Sequence, residues 1–232
     1  LVEYKNLRIF WIIQEVYRQQ KEMYDQISHQ TDDRIVSVSQ PHVRPIVRGK
    51  SGKEVEFGAK ISASLVNGYI YLDRMSWDAF NENKDLKKQV ENFKERFGHY
   101  PEVVIGDKIY GSRENRDFLK ENHIRFSGKA LGRPPAVTEE NAAEVKKQRK
   151  RYRKEQGIRN GIEGKFGEGK RKYQLERVKA RTARTSESWI ATVFLVMNLA
   201  CWLRDHFFAF LQGGLQAGEW PRFLSGWAIF LS

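Results

Sequence analysis

A single cysteine, Cys201, in 232 residues leaves no internal disulfide framework and suits a reducing compartment. The five histidines (His29, His42, His99, His123, His206) are scattered and have no Cys partners at ligand spacing, so a zinc site is not expected. No secretory leader is read at the start, because "LVEYKNLRIFWIIQEVYRQQ" interrupts its apolar positions with charge. Long apolar runs are also scarce. The best, "SWIATVFLVMNLACWL" (188–203), falls short of the roughly 20 residues a spanning helix needs and carries Asn198, so it is read as a buried helix packed on a sheet. No membrane partner is expected, and the implied location is cytoplasmic. Internal repeats and low-complexity tracts are lacking too.

What the chain does have is positive charge in one place. Its formal net charge is +12, with 41 Lys+Arg against 29 Asp+Glu. From Val145 to Arg184 there are 16 Lys/Arg and 4 Glu, a net of +12, so the rest carries 25 of each sign (41 − 16 and 29 − 4) and balances to zero. Solvated helices usually mix their signs. An excess gathered into one segment is how a chain looks when one face meets a polyanion, most often nucleic acid.

Apolar spacing over 2–28 predicts an amphipathic helix. Strands are expected at "RIVSV" (34–38), "HVRPIVR" (42–48) and "EVEFGAKISASLV" (54–66). Asn67-Gly68, between "KISASLV" and "YIYLDRM", predicts a hairpin turn, since both residues must accept positive φ. A helix at about 78–97, a strand ending at Asp107, a helix over 112–122, a strand at "HIRFSG" (123–128), a basic helix from about Thr138 and an apolar helix over 186–205 complete the order. Hairpins followed by strand–helix–strand and then helices indicate an α/β fold with a mixed sheet and helices on its faces. The two strands flanking helix 112–122 should be parallel, with a right-handed crossover.

That arrangement puts Asp107, at the end of "VVIG", on the carboxyl edge of the sheet, where open α/β folds hold ligands. Two readings of Asp107 stand side by side: a turn residue ahead of a helix capped by Ser112, or a carboxylate presented from a rigid strand end. A second carboxylate lies in "RNGIEGKFGEGKRKY". There Arg159, Glu163, Phe166 and Lys170 fall at i, i+4, i+7 and i+11 on one helix face. Gly161, Gly164 and Gly167 weaken that helix by roughly 1 kcal/mol each, a density expected where a backbone or ligand comes close. Two carboxylates beside a phosphodiester can hold Mg²⁺, or Mn²⁺, through hard oxygen ligands, and a third is expected for a two-metal site. Arg159 and Lys170 would offset phosphate charge. "GKFGEGKR" (164–171) nearly spells a phosphate-cradling loop, but Arg171 replaces the hydroxyl and no apolar strand precedes it. "GKS" at 49–51 lacks the upstream glycine.

The blocks "DRIVSVSQPHVRPIVRGKSGKEVEFGAKIS", "VVIGDKIYGSRENRDFLKENHIR", "LGRP" and "RNGIEGKFGEGKRKY" resemble, in order, the DDE transposases of bacterial insertion sequences. The resemblance implies an RNase H-like fold. It implies Mg²⁺-dependent cleavage at transposon ends, then attack of the freed 3′-hydroxyl on target DNA, with a homo-oligomer in the synaptic complex and a nucleoid-associated location. By it, Asp107 and Glu163 are catalytic metal ligands, and Arg159 and Lys170 complete a Tyr-x2-Arg-x3-Glu-x6-Lys pattern in which Gln156 replaces the Tyr and Tyr152 lies one turn earlier. DNA contacts are assigned to Lys147, Arg149, Lys150, Arg151, Arg153, Lys154, Lys165, Arg171 and Lys172.

The first Asp of the family's site has no match: Asp32 and Asp33 fall in a turn and Asp73 ends a hairpin strand. The chain is therefore expected to be the carboxyl-terminal part of a transposase, lacking the first strand of its sheet and inactive alone. Its parts are a helical lead-in (1–30), the catalytic core (31–205) and a Gly/Trp-rich tail (206–232) to which no role is assigned. A non-catalytic DNA-binding protein derived from such an enzyme is the alternative.

Overall fold

The computed structural model describes residues 3–50, 53–129, 131–132, 136–211 and 227–231. The chain separates into two compact units: Leu1–Ile61, Met75–Phe80 and Val178–Ile190 form one, and Ser62–Arg74, Asn81–Arg177 and Ala191–Ser232 the other.

In the first unit, helix α1 (Leu7–Asp25) buries only Gln19 and Met23. Gln19 uses both ends of its amide: Nε2 donates to the Asp33 carbonyl at 3.2 Å, and Oε1 accepts from the Ile35 N–H at 3.0 Å. Those bonds explain why "RIVSV", expected as a strand, joins no ladder. The Ile35 N–H goes to Gln19, and the Gln40 N–H goes to Ser37 Oγ. A two-stranded antiparallel sheet follows, β1 (Pro45–Lys50) with β2 (Lys53–Phe57).

The second unit holds the larger sheet. Its strands are β3 (Lys60–Val66), β4 (Tyr69–Ser76), β5 (Val103–Ile105), β6 (Arg125–Phe126) and β7 (Trp227–Leu231), in the order β4-β3-β7-β5-β6. The Asn67-Gly68 turn joins β3 to β4 with φ of +51° and +87°, as its residue types require. β5 and β6 are parallel across helix α3 (Arg113–Glu121), which Ser112 caps by accepting from the Asn115 N–H. Helix α2 (Leu86–Phe97) sets Leu86, Val90 and Phe93 into one cluster with Val104, Tyr110, Leu119 and Ile124. Val103, Val104 and Ile105 are all buried, which is why β5 is a continuous apolar run without alternation.

The sheet was expected to lack a strand, and the tail had no assigned role. Here the tail supplies the central strand. β7 pairs antiparallel with β3 and parallel with β5, with Ile229 in register with both Leu65 and Ile105. Without it, the β3 and β5 edges would have no partner.

Two further helices are the basic α4 (Ala142–Tyr173), in the second unit, and α5 (Ala183–Leu211), which belongs to the first unit up to Ile190 and to the second from Ala191. α5 departs from the expected fully buried helix. Val193, Phe194, Met197 and Cys201 are buried, while Leu195, Leu199 and Leu203 on the other side are 50–60% exposed. Asn198 is the reason that the helix docks where it does: its amide donates to the Ile70 carbonyl and accepts from the Ile70 N–H, both at 2.8 Å, on edge strand β4. By length and mean hydropathy (1.3 over its most apolar stretch), α5 is the one described helix long and apolar enough to cross a membrane; a third of that stretch is buried.

Candidate active site

Asp107 follows β5 by two residues, and both readings of it hold at once. Its Oδ1 accepts from the Lys108 N–H at 2.6 Å and so caps a short 3₁₀ turn, Lys108–Tyr110, yet the side chain remains 56% exposed. The turn is fixed from below. Tyr110 is 1% exposed, and Asn115 Nδ2 donates to the Tyr110 carbonyl at 3.0 Å and to the Asn83 carbonyl at 2.9 Å. Arg116 then ties this turn to the loop after β6, donating to the Gly111 and Lys129 carbonyls while its guanidinium covers the Phe126 ring. Gly128 closes against the same ring so tightly that a Cβ there would stand 2.3 Å from Phe126 Cε1.

α4 brings the second carboxylate. Its inward line is Glu155, Ile162 and Gly169, seven residues apart, a narrow stripe that leaves most of the helix in solvent. Glu155 is fastened by Arg125 of β6 and by Arg151 one turn back. Burial works to raise its pKa, but the bonds from the two arginines prevail and hold it below the ordinary carboxylate range. With α4 so anchored, Arg159 reaches both candidate metal ligands: Nη1 lies 3.8 Å from Asp107 Oδ1, and Nη2 lies 3.4 Å from Glu163 Oε1. The residues picked out at the sheet edge and on the helix face therefore meet around one guanidinium. Arg159 Nε is buried and has no hydrogen-bond partner.

Lys170 is not brought to this cluster. It is exposed, two turns farther along α4. The glycines also sort differently from expectation. A Cβ at Gly161 would make ordinary contact with Leu65, and Gly164 faces open space. The tight position is Gly169, which the spacing argument passed over; a Cβ there would come within 3.1 Å of Leu175 and Met197.

A cleft of about 360 Å³ opens beside Asp107 and Arg159. Lys108, Lys129, Tyr152 and Gln156 also line it, so the departed Tyr position and the tyrosine one turn earlier face the same space. The cleft's charge is predominantly positive, with Asp107 its one lining carboxylate. Of the residues assigned to DNA, Lys147, Arg149, Lys150, Arg153 and Lys154 are exposed on α4. Arg151 pairs with Glu155, and Arg171 donates to the Gly167 carbonyl. Lys165 is the exception in exposure: its side chain is 14% exposed and shares Glu168 with Lys172, so it is not displayed for a polyanion.

Two hard-oxygen carboxylates facing one cation suit a divalent metal such as Mg²⁺ in donor type but not in number. No group of three or more His, Cys, Asp and Glu close enough to hold a metal occurs among the described residues. The β7 register carries Leu231, two residues past the Ile105–Ile229 pair, to the level of Asp107, and β7 ("WAIFL") contains no acid. Asp73 is excluded by its surroundings. It is 1% exposed and bound by Arg96 and Gln89, and burial raises its pKa. Cys201 is buried, and burial raises its thiol pKa.

Residues 104–200, from the middle of β5 into α5, match the family model described as a transposase DDE domain. No curated protein and no solved structure matches the chain.

Proposed function

We propose, from the match of residues 104–200 to a transposase DDE domain, that this is a DDE-type transposase chain that binds DNA along α4, with Asp107 and Glu163 two of the carboxylates of its metal-dependent strand-cleavage and strand-transfer site. The observation that carries this reading is the meeting of Asp107, at a strand end, with Glu163, on a helix, around Arg159. A metal bound there would polarise a phosphoryl oxygen and lower the pKa of an attacking water. The chain's own residues do the rest. The exposed cations of α4 take the phosphate backbone, Lys108 and Lys129 draw the strand toward the cleft, and Arg159 offsets charge on the phosphate nearest the carboxylates. An RNase H-like arrangement is supported by the central β7, antiparallel to one neighbour and parallel to the other.

With two carboxylates and no third beside them among the described residues, cleavage by this chain alone is expected to fall below detection, since members of a catalytic unit act together. The same observation favours a second reading, a DNA-binding protein that does no chemistry. Both require duplex affinity that falls steeply and linearly with salt on a log–log scale, and a shallow or absent dependence would sink both. Glu163→Gln removes no phosphate-contacting cation and leaves that salt slope unchanged in either case. What separates the readings is whether the DNA-bound protein holds Mn²⁺ that the substitution releases.

A further inference from the structure

Arg159 is caged without being fully bonded. Its contacts of 3.8 and 3.4 Å to Asp107 and Glu163 are longer than charge-assisted hydrogen bonds of about 2.7–2.9 Å. Its Nε–H is buried with no acceptor, an unmet demand that leaves the guanidinium short of its full set of bonds. The same side chain lines the cleft together with Lys108, Arg116 and Lys129, where an oxyanion meets four cations. A divalent cation approaching the carboxylates meets the opposite situation, because the guanidinium already stands between them and repels it.

We propose that Arg159 is an exchangeable internal counter-ion coupling the two halves of the site. With the cleft empty it neutralises Asp107 and Glu163 and holds divalent cations off. An oxyanion in the cleft draws it across and opens the carboxylates. Linkage makes the coupling reciprocal, so a bound cation tightens oxyanion binding by the same factor. The inference rests on the reading of Asp107 and Glu163 as metal ligands, and it adds an order of events: phosphate first, metal second.

The test is Mn²⁺ binding to the full chain, followed by the electron paramagnetic resonance of free Mn²⁺, with sodium sulfate or sodium chloride at matched ionic strength. Wild type should bind weakly in chloride and about tenfold more tightly in sulfate. Arg159→Gln should already bind about tenfold more tightly than wild type in chloride and ignore sulfate. Arg159→Lys, which keeps the charge, should stay weak in chloride. Asp107→Asn with Glu163→Gln should abolish binding. If Arg159→Gln binds no more tightly than wild type while the double substitution still abolishes binding, the counter-ion role is overturned and the metal reading stands. Mn²⁺ binding that survives the double substitution overturns both. Should Arg159→Gln lose its native circular dichroism, wild type decides: no tightening in sulfate overturns the proposal.

Discussion

Glu155 and Glu163 stand two helical turns apart on α4 and show how surroundings divide carboxylates of the same type. Glu155 is 3% exposed and anchors the helix; Glu163 is about half exposed and faces Arg159. Because the Glu155 pKa is lowered in the folded state, its contribution to stability is present above the unfolded value of about 4.3 and is lost as pH falls through the folded value. Glu155→Gln should cost about 1–3 kcal/mol at pH 7, a discounted figure because Arg125 and Arg151 are partly in solvent. It should also flatten the stability profile below the unfolded value of about 4.3. Urea unfolding at several pH values measures both effects. Sequence spacing alone revealed the Arg159–Glu163 pair, because i, i+4 is fixed by the helix. The reach from Arg159 to Asp107 was not legible, since it depends on where α4 is pinned. The pin is Glu155, an acid that looked like any other in a basic run.

At the scale of elements, α4 carries the excess charge, and its exposed cations are concentrated before Arg159. Replacing Lys147, Lys150 and Lys154, spaced along one side, by Gln should reduce the slope of log affinity against log salt for duplex DNA by about 0.9 for each phosphate contact removed. Fluorescence anisotropy of a labelled duplex would read this, and an unchanged slope would move the DNA face off α4. The charge run was visible in the sequence because composition alone exposes it. Two other elements were less legible. "RIVSV" has strand-forming residues, but its Ile35 N–H is taken by Gln19, so tertiary context overrode propensity. The apolar α5 looked fully buried, although its sequence does not show which side meets the sheet.

For the whole molecule, the largest departure from expectation is the source of the central strand. β3 and β5 are contiguous with their hairpin and crossover partners, whereas β7 arrives from beyond α5 and joins them. "WAIFL" is too short to be distinguished from any apolar stretch by its pattern, and pairing across more than a hundred residues leaves no local trace. Ile229 is in register with a residue on each neighbouring strand, so Ile229→Pro strikes a position with no free edge. It should cost about 3 kcal/mol or more and blunt the cooperative thermal transition followed by circular dichroism. A variant with unaltered melting would show that the sheet does not depend on β7.

The central claim is that Asp107 and Glu163 hold a metal beside bound DNA. The most direct test is equilibrium Mn²⁺ binding to the protein–duplex complex, measured for wild type, Asp107→Asn and Glu163→Gln at equal DNA occupancy, with the duplex alone subtracted. The account predicts a protein-dependent Mn²⁺ site in wild type that each substitution weakens by tenfold or more. Equal Mn²⁺ binding by all three proteins, or none by any, would contradict it and leave a basic helix that binds DNA and does nothing to it.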